Sequence, residues 1–166
     1  WAAGAISVGV MGLGTLGADA ADVLKRLGFR VAGWSRSPKA LDGIDCFHGE
    51  SQIEPFARRT DILVCLLPLT PETHHVLNRA LFEKLNRSSP LGAPVLINAG
   101  RGGLQNEADI LQCLDDGTLS GASLDVYETD TGRLSYDADG AGAGAASLVA
   151  TLTNLAVLGA SDIEIF

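Results

Sequence analysis

An apolar run that empties straight into glycines constrains this chain most: residues 6–17 read ISVGVMGLGTLG. The first half suits a buried strand, and Gly12, Gly14 and Gly17 form a G-x-G-x-x-G spacing that opens a helical pattern. The three glycines do different things. Gly12 permits a tight turn, Gly14 lets the backbone approach a pyrophosphate, and Gly17 allows helix to pack on strand. A helix starting at about Thr15 would point free N–H groups and its positive dipole end at an anion. The spacing alone is unspecific, so the surrounding pattern decides.

That pattern is a strand-helix-strand unit. Residues 18–27 carry apolar side chains at helical spacing, Gly28 ends the helix, and residues 29–34 read as a second strand. An acidic residue after that second strand would bind a ribose 2′-hydroxyl, but here the turn reads Ser35, Arg36, Ser37, Pro38, Lys39. Hydroxyls and cations at this point suit a 2′-phosphate, with Arg36 stacking on adenine or forking onto phosphate and Lys39 adding a point charge. A plain solvated basic turn is the alternative.

Composition agrees with one packed α/β domain: 166 residues, 46% hydrophobic, with 20 glycines. Twelve basic against 20 acidic residues leave a net charge of −8, which argues against nucleic acid or an anionic membrane as partner, so an anionic cofactor must be attracted locally. Cys46, Cys65 and Cys113 are odd in number and set in apolar runs, as reduced core residues are. Neither CxxC nor HExxH occurs, and no metal site is expected. Without a signal sequence or a long apolar span, a cytoplasmic protein is the default expectation.

Strands and helices keep alternating, the pattern of a parallel sheet covered on both faces. Residues 45–48 predict a short third strand, 50–59 a helix burying Ile53, Phe56 and Ala57, and 61–67 a strand buried on both sides that stops at Pro68. Residues 78–85 predict a short helix with Leu81, Phe82 and Leu85 inward, and 94–98 a fifth strand. The next helix spans 106–116, capped by Asn106 and terminated by Gly117, before a sixth strand at 121–126. The predicted fold class is α/β: a Rossmann-type doubly wound parallel sheet in three layers, α/β/α. At least five strands should lie within residues 6–126, with the fingerprint turn and Arg101 at one edge.

Ligands of such sheets sit outside the carboxyl ends of the strands, near the point where strand order reverses. The loops gathered there carry residues 12–17, 35–39, 67–70, 98–102 and Asp125 onward. In the 98–102 loop Arg101 is the only cation, flanked by Gly100 and Gly102. A guanidinium just past a buried strand can hold a carboxylate bidentately and polarise its neighbouring carbonyl. Equally, it could pair with a nearby acid.

Taken together, VGVMGLGTLG, GWSRSPK, LVCLLPLTPETHHVLN, LINAGRGG and GASLDVYETD resemble the cofactor domain of the D-isomer-specific 2-hydroxyacid dehydrogenases, and among them the glyoxylate/hydroxypyruvate reductases. The resemblance covers roughly residues 6–130. It implies that Gly12, Leu13, Gly14, Thr15, Leu16 and Gly17 hold a pyrophosphate and that Ser35, Arg36, Ser37 and Lys39 read the ribose phosphate of NADP, preferred over NAD. Leu67, Pro68 and Thr73 would line the cofactor cleft, Ala99, Gly100 and Arg101 would meet the nicotinamide side, and Asp125 would contact the carboxamide. Arg101 would also be the catalytic, substrate-binding arginine. The implied chemistry is hydride transfer to the carbonyl carbon of a 2-oxoacid, with an acid-steadied histidine giving the proton. The implied assembly includes a homodimer.

Three features depart from the family. Its acid falls on Asp130, one carbon shorter than Glu, and the usual following proline is Thr131. Its histidine lies in a Pro-His motif that this chain lacks, and residues 132–166 contain no histidine. His48, His74 and His75 read as surface or core residues. The substrate domain that closes over the cofactor is also expected to be absent from this chain, leaving a dinucleotide domain over 1–130 and a divergent tail over 131–166. The tail has a flexible low-complexity stretch at 139–146 and an apolar stretch at 147–160 that fits a last strand near 152–158, a packing helix, or a segment altered by truncation or a frame change. Three functional readings remain: the cofactor domain of an NADP-dependent oxidoreductase with little activity alone, a non-catalytic dinucleotide-binding sensor or scaffold, and a hydroxyisobutyrate-type dehydrogenase. The INAGRGG loop argues against the third.

Overall fold

The structure is a computed structural model that describes residues 2–124 and, beyond them, the backbone of three short strands, Val126–Glu128, Arg133–Tyr136 and Ser147–Thr151. Five connections build the main sheet. β1 (Ser7–Met11) leads through α1 (Thr15–Arg26) to β2 (Arg30–Ser35), and an irregular loop then reaches β3 (Asp45–His48). α2 (Ile53–Ala57) precedes β4 (Ile62–Cys65), α3 (Arg79–Phe82) precedes β5 (Val95–Asn98), and α4 (Glu107–Asp115) precedes β6 (Gly121–Leu124). All five pairings are parallel, in the order β3-β2-β1-β4-β5-β6.

Strand order reverses between β1 and β4, and the helices change face there because parallel crossovers are right-handed. Val10 packs with Leu13, Ala21 and Ile44 on the face that α1 covers. Met11, Leu63 and Leu96 belong to the larger core on the other face, with Phe56, Phe82 and Ile110 from α2, α3 and α4. Alternation along β1 thus feeds two cores, which explains why the central strands read as unbroken apolar runs. Gly9 faces Phe56 and Thr60 so closely that a Cβ would stand 2.9 Å from the Phe56 ring.

The predicted helix over 50–59 is split into a 3-10 turn at Glu50–Gln52 and the short α2. Pro55 is the reason: it has no N–H with which to carry an α-helical ladder back into residue 51. The helix predicted at 78–85 contracts to α3, whose end tightens into i→i−3 bonds from Lys84 to Leu81 and Leu85 to Phe82. Its inward residues Leu81, Phe82 and Leu85 are buried as predicted, and the Asn78 and Asn106 side chains cap α3 and α4. The sixth strand ends at Leu124, two residues early. Val126 instead begins β7 (Val126–Glu128), which pairs antiparallel with β8 (Arg133–Tyr136), and β8 with β9 (Ser147–Thr151). Two strands therefore occupy part of the tail; residues 152–158 lie outside the described residues.

The amino ends of the strands are fastened by a buried carboxylate. Asp61 accepts from the Ser7 N–H and from Asn86 Nδ2, both at 2.7 Å, and is fully buried. Cys65 and Cys113 are buried and Cys46 half-buried, all as free thiols. Burial pushes the Cys65 thiol up to about 11 and raises that of Cys113, so neither is a ready nucleophile.

Candidate functional site

The fingerprint turn is built by close approach of backbone to backbone. Gly12 adopts φ +112°, a conformation open to glycine, and its N–H donates to the Trp34 carbonyl at 2.8 Å, tying the turn to the end of β2. A Cβ on Gly12 would stand 2.8 Å from the Leu66 carbonyl oxygen, and one on Gly17 would run into the Gly12 carbonyl. Around Gly14, by contrast, no described residue comes within 4 Å of where a Cβ would stand. The first α-helical bond of α1 runs from the Ala18 N–H to the Gly14 carbonyl, so the N–H groups of residues 15–17 precede the ladder. Backbone donors without a ladder partner and open space in front of Gly14 form a cradle that fits a pyrophosphate.

Leu13 contributes backbone only, since its side chain is buried against Gly33. Thr15 and Leu16 are exposed at the start of α1, Leu16 at 59%. At the end of β2 the Ser35 side chain is buried and its hydroxyl donates to the Ser37 carbonyl at 2.7 Å, closing a short turn. Arg36, Ser37 and Lys39 are exposed on that turn. Ser35 thus shapes the turn, and Arg36 and Lys39 form no ion pair among the described residues. Glu72 faces this turn from the loop after β4. Its carboxyl is held below the usual range chiefly by the Thr70 hydroxyl, then by its own backbone N–H, with the Arg36 charge adding a smaller share.

A cleft of about 450 Å³ runs along the carboxyl ends of β1, β4 and β5, lined by Leu16, Leu66, Leu67, Pro68, Leu69, Ala99, Gly100 and Arg101. The expected Leu67, Pro68, Ala99, Gly100 and Arg101 therefore share one cavity with the helix start at Leu16. Thr73 acts within its own loop: its hydroxyl accepts from the Thr70 N–H at 2.8 Å and donates to the Pro68 carbonyl at 2.7 Å, shaping the cleft wall. A second cleft of about 380 Å³ lies at the other end of the strands, beside Ser7, Arg30, Asp45 and Arg59. There Arg59 is already paired with Asp45 at 2.7 Å, and Arg30 with the Ala5 carbonyl.

Arg101 stands where sequence reasoning put it, at the same edge as Gly14. Its guanidinium is exposed and donates to the Gly100 carbonyl at 3.0 Å; among the described residues it forms no ion pair. Of the two readings of this residue, pairing with an acid has no support among the described residues. Sequence reasoning overlooked Asn98 and Gln105, buried side chains that hold the Arg101 loop. The available signal was a polar residue closing an otherwise apolar strand. Asp125 and Asp130 lie outside the described residues. His48, His74 and His75 are exposed, the last two stacked on each other at 3.8 Å.

Residues 4–140 match the model of the D-isomer specific 2-hydroxyacid dehydrogenase, NAD binding domain. The chain belongs to this family. It is 42% identical over 124 residues to glyoxylate/hydroxypyruvate reductase A of Serratia proteamaculans, covering 75% of this chain and 38% of that protein. It also resembles the NADPH-dependent glyoxylate/hydroxypyruvate reductase of Sinorhizobium meliloti solved with NADP and sulfate, at 56% identity and a TM-score of 0.73, covering 76% of this chain and 40% of that one. A probable 2-hydroxyacid dehydrogenase from Rhizobium etli solved with NADP, HEPES and L(+)-tartaric acid is 52% identical with a TM-score of 0.74, covering 77% of this chain and 40% of that one. The chain thus spans about two-fifths of the length of these relatives. Among the described residues no helix is long and apolar enough to cross a membrane.

Proposed function

We propose that these residues form the cofactor half of an NADPH-dependent reductase that converts small 2-oxoacids, such as glyoxylate or hydroxypyruvate, to 2-hydroxyacids. The observation that carries this reading is the shared edge: the fingerprint cradle, the Ser35–Arg36 turn and Arg101 all open toward one side of the sheet. When bound, the nicotinamide supplies the hydride. The N–H groups of residues 13–17 receive the pyrophosphate, while Arg36 and Lys39 receive the 2′-phosphate, a local cationic pair on a chain of net charge −8. Pro68, Leu67 and Ala99 exclude water along the cleft. Arg101 turns its guanidinium from the Gly100 carbonyl to hold the substrate carboxylate and polarise the adjacent carbonyl. Asp125 at the carboxamide and Asp130 as the supporting acid complete the proposed set.

The reading accounts for cofactor binding without requiring turnover by these residues alone. Enclosure and general acid catalysis, the latter typically about 10²–10⁴-fold, need partners for Arg101 that the cradle does not supply. The test is a fluorescence titration of the chain with NADPH and NADH, repeated on Arg36→Ala. NADPH should bind more tightly, and the substitution should weaken it selectively by about 1–3 kcal/mol, roughly 5- to 150-fold, as loss of a charge-assisted contact does. Equal affinities for the two cofactors before mutation would refute the assignment.

A further inference from the structure

The Arg101 guanidinium is exposed and, among the described residues, hydrogen-bonds only to the Gly100 carbonyl, so its aim depends on the backbone beneath it. Besides the backbone bonds from the Ala99 N–H to the Cys65 carbonyl and from the Leu104 N–H to the Arg101 carbonyl, both at 3.1 Å, one side chain holds that backbone among the described residues. Asn98, the last residue of β5, is 2% exposed, and every polar atom of its amide is spent on the loop that follows. Oδ1 accepts from the Gly100 N–H at 3.1 Å, and Nδ2 donates to the Arg101 carbonyl at 3.0 Å and to Gln105 Oε1 at 2.9 Å. Gln105, 3% exposed, is itself anchored, since residue 105 bridges Leu77 and its N–H donates to the Gly102 carbonyl at 3.0 Å. A buried primary amide at the end of an apolar strand is costly unless all its groups are paired. Here they are paired across the two flanks of Arg101, with one bond before it, one at it and one beyond it. No isosteric side chain offers the same two donors and one acceptor: aspartate loses both donors, leucine everything.

We infer that Asn98, backed by Gln105, is a positioning residue that fixes where Arg101 presents its guanidinium to a substrate carboxylate; this rests on the proposed role of Arg101. The acceptor on Gly100 keeps the cleft floor in place, while the donor on the Arg101 carbonyl, beside the Leu104 N–H that shares it, sets the direction in which that side chain leaves the loop. The two functions can be separated, because Asn98→Asp keeps the first and removes the second.

The experiment follows the Arg101 Nε–Hε signal by NMR in the 15N-labelled full chain loaded with NADPH, assigned by its loss in Arg101→Ala, as oxalate is added. In the unmodified chain the signal should shift saturably. In Asn98→Asp the same shift should require at least about tenfold more oxalate or vanish, while NADPH affinity stays within about twofold. Gln105→Met, which removes only the support behind Asn98, should show a smaller displacement in the same direction and serves as the readout if Asn98→Asp does not fold. Oxalate titrations indistinguishable from the unmodified chain in the folded variants would overturn the positioning role and leave the carboxylate role of Arg101 standing. An unmodified chain whose Arg101 signal ignores oxalate would overturn both.

Discussion

Gly14 and Gly17 stand three residues apart in one turn, yet the structure assigns them opposite consequences. A Cβ on Gly17 collides with the Gly12 carbonyl oxygen and stands 2.9 Å from its carbon, and these are backbone atoms that cannot rotate aside. Overpacking of this kind reaches about 3 kcal/mol, of which alanine recovers about 1 kcal/mol through its better helix propensity. Gly17→Ala should therefore cost about 2 kcal/mol net and lower the melting temperature by about 4–8 °C in a chain of this size. Gly14→Ala meets nothing within 4 Å and needs no unusual backbone, since φ there is −73°. Its poorer capping, up to about 1 kcal/mol, is offset by a similar loss of unfolded-state entropy, and stability should stay within about 0.5 kcal/mol. Its methyl would nonetheless occupy the approach to the cradle and weaken NADPH by at least about tenfold, ~1.4 kcal/mol. Urea unfolding with unchanged slope and a fluorescence titration read the two quantities separately. A Gly17→Ala chain as stable as the parent, or a Gly14→Ala chain that binds NADPH as well as the parent, would refute the reasoning.

Other expectations follow from groups away from the cleft. Asp61→Ala takes the charged acceptor from two half-buried donors, the Ser7 N–H and Asn86 Nδ2, and should cost about 2–4 kcal/mol in urea unfolding; a loss under about 1 kcal/mol would show that the amino-terminal edge is not held there. Asp116 is held down to about 2 by hydrogen bonds from Thr118 and Arg79. Because its folded value is depressed, its contribution is complete above the ordinary carboxylate range and is lost as pH falls toward 2. Asp116→Asn should accordingly flatten the decline in stability between about pH 4 and pH 2, and an unchanged decline would remove Asp116 from the account.

How far the sequence alone reached depended on which forces acted locally. The fingerprint, the capping Asn106 and the apolar run of the central strand, buried on both faces, are local signals, and each appears in the structure where its residues predicted it. Arg101 and the 35–39 turn were placed by topology, since strand ends of a doubly wound sheet converge on one edge. Pro55 was present in the predicted second helix, but its effect on the ladder was missed because apolar spacing dominated the reading. The departure of the chain into β7 after Leu124 depends on pairing with strands near 133 and 147, which periodicity over a few residues does not report. Asn98 and Gln105 escaped notice because a buried amide announces itself only through its partners. The Ser35 hydroxyl also closes its own turn, a bond to the Ser37 carbonyl that residue spacing does not report.

A dinucleotide that binds as proposed lies at the carboxyl edge, across residues 12–17, 35–39 and 99–101, and not in the second cleft beside Ser7, Arg30 and Arg59. Amide chemical shifts of the labelled chain, followed as NADPH is added, test it most directly. Saturable shifts are expected at Gly12, Gly14, Gly17, Arg36 and Gly100, with Ser7, Arg30 and Arg59 unmoved. Shifts concentrated at Ser7, Arg30 and Arg59, or none at the fingerprint, would contradict it.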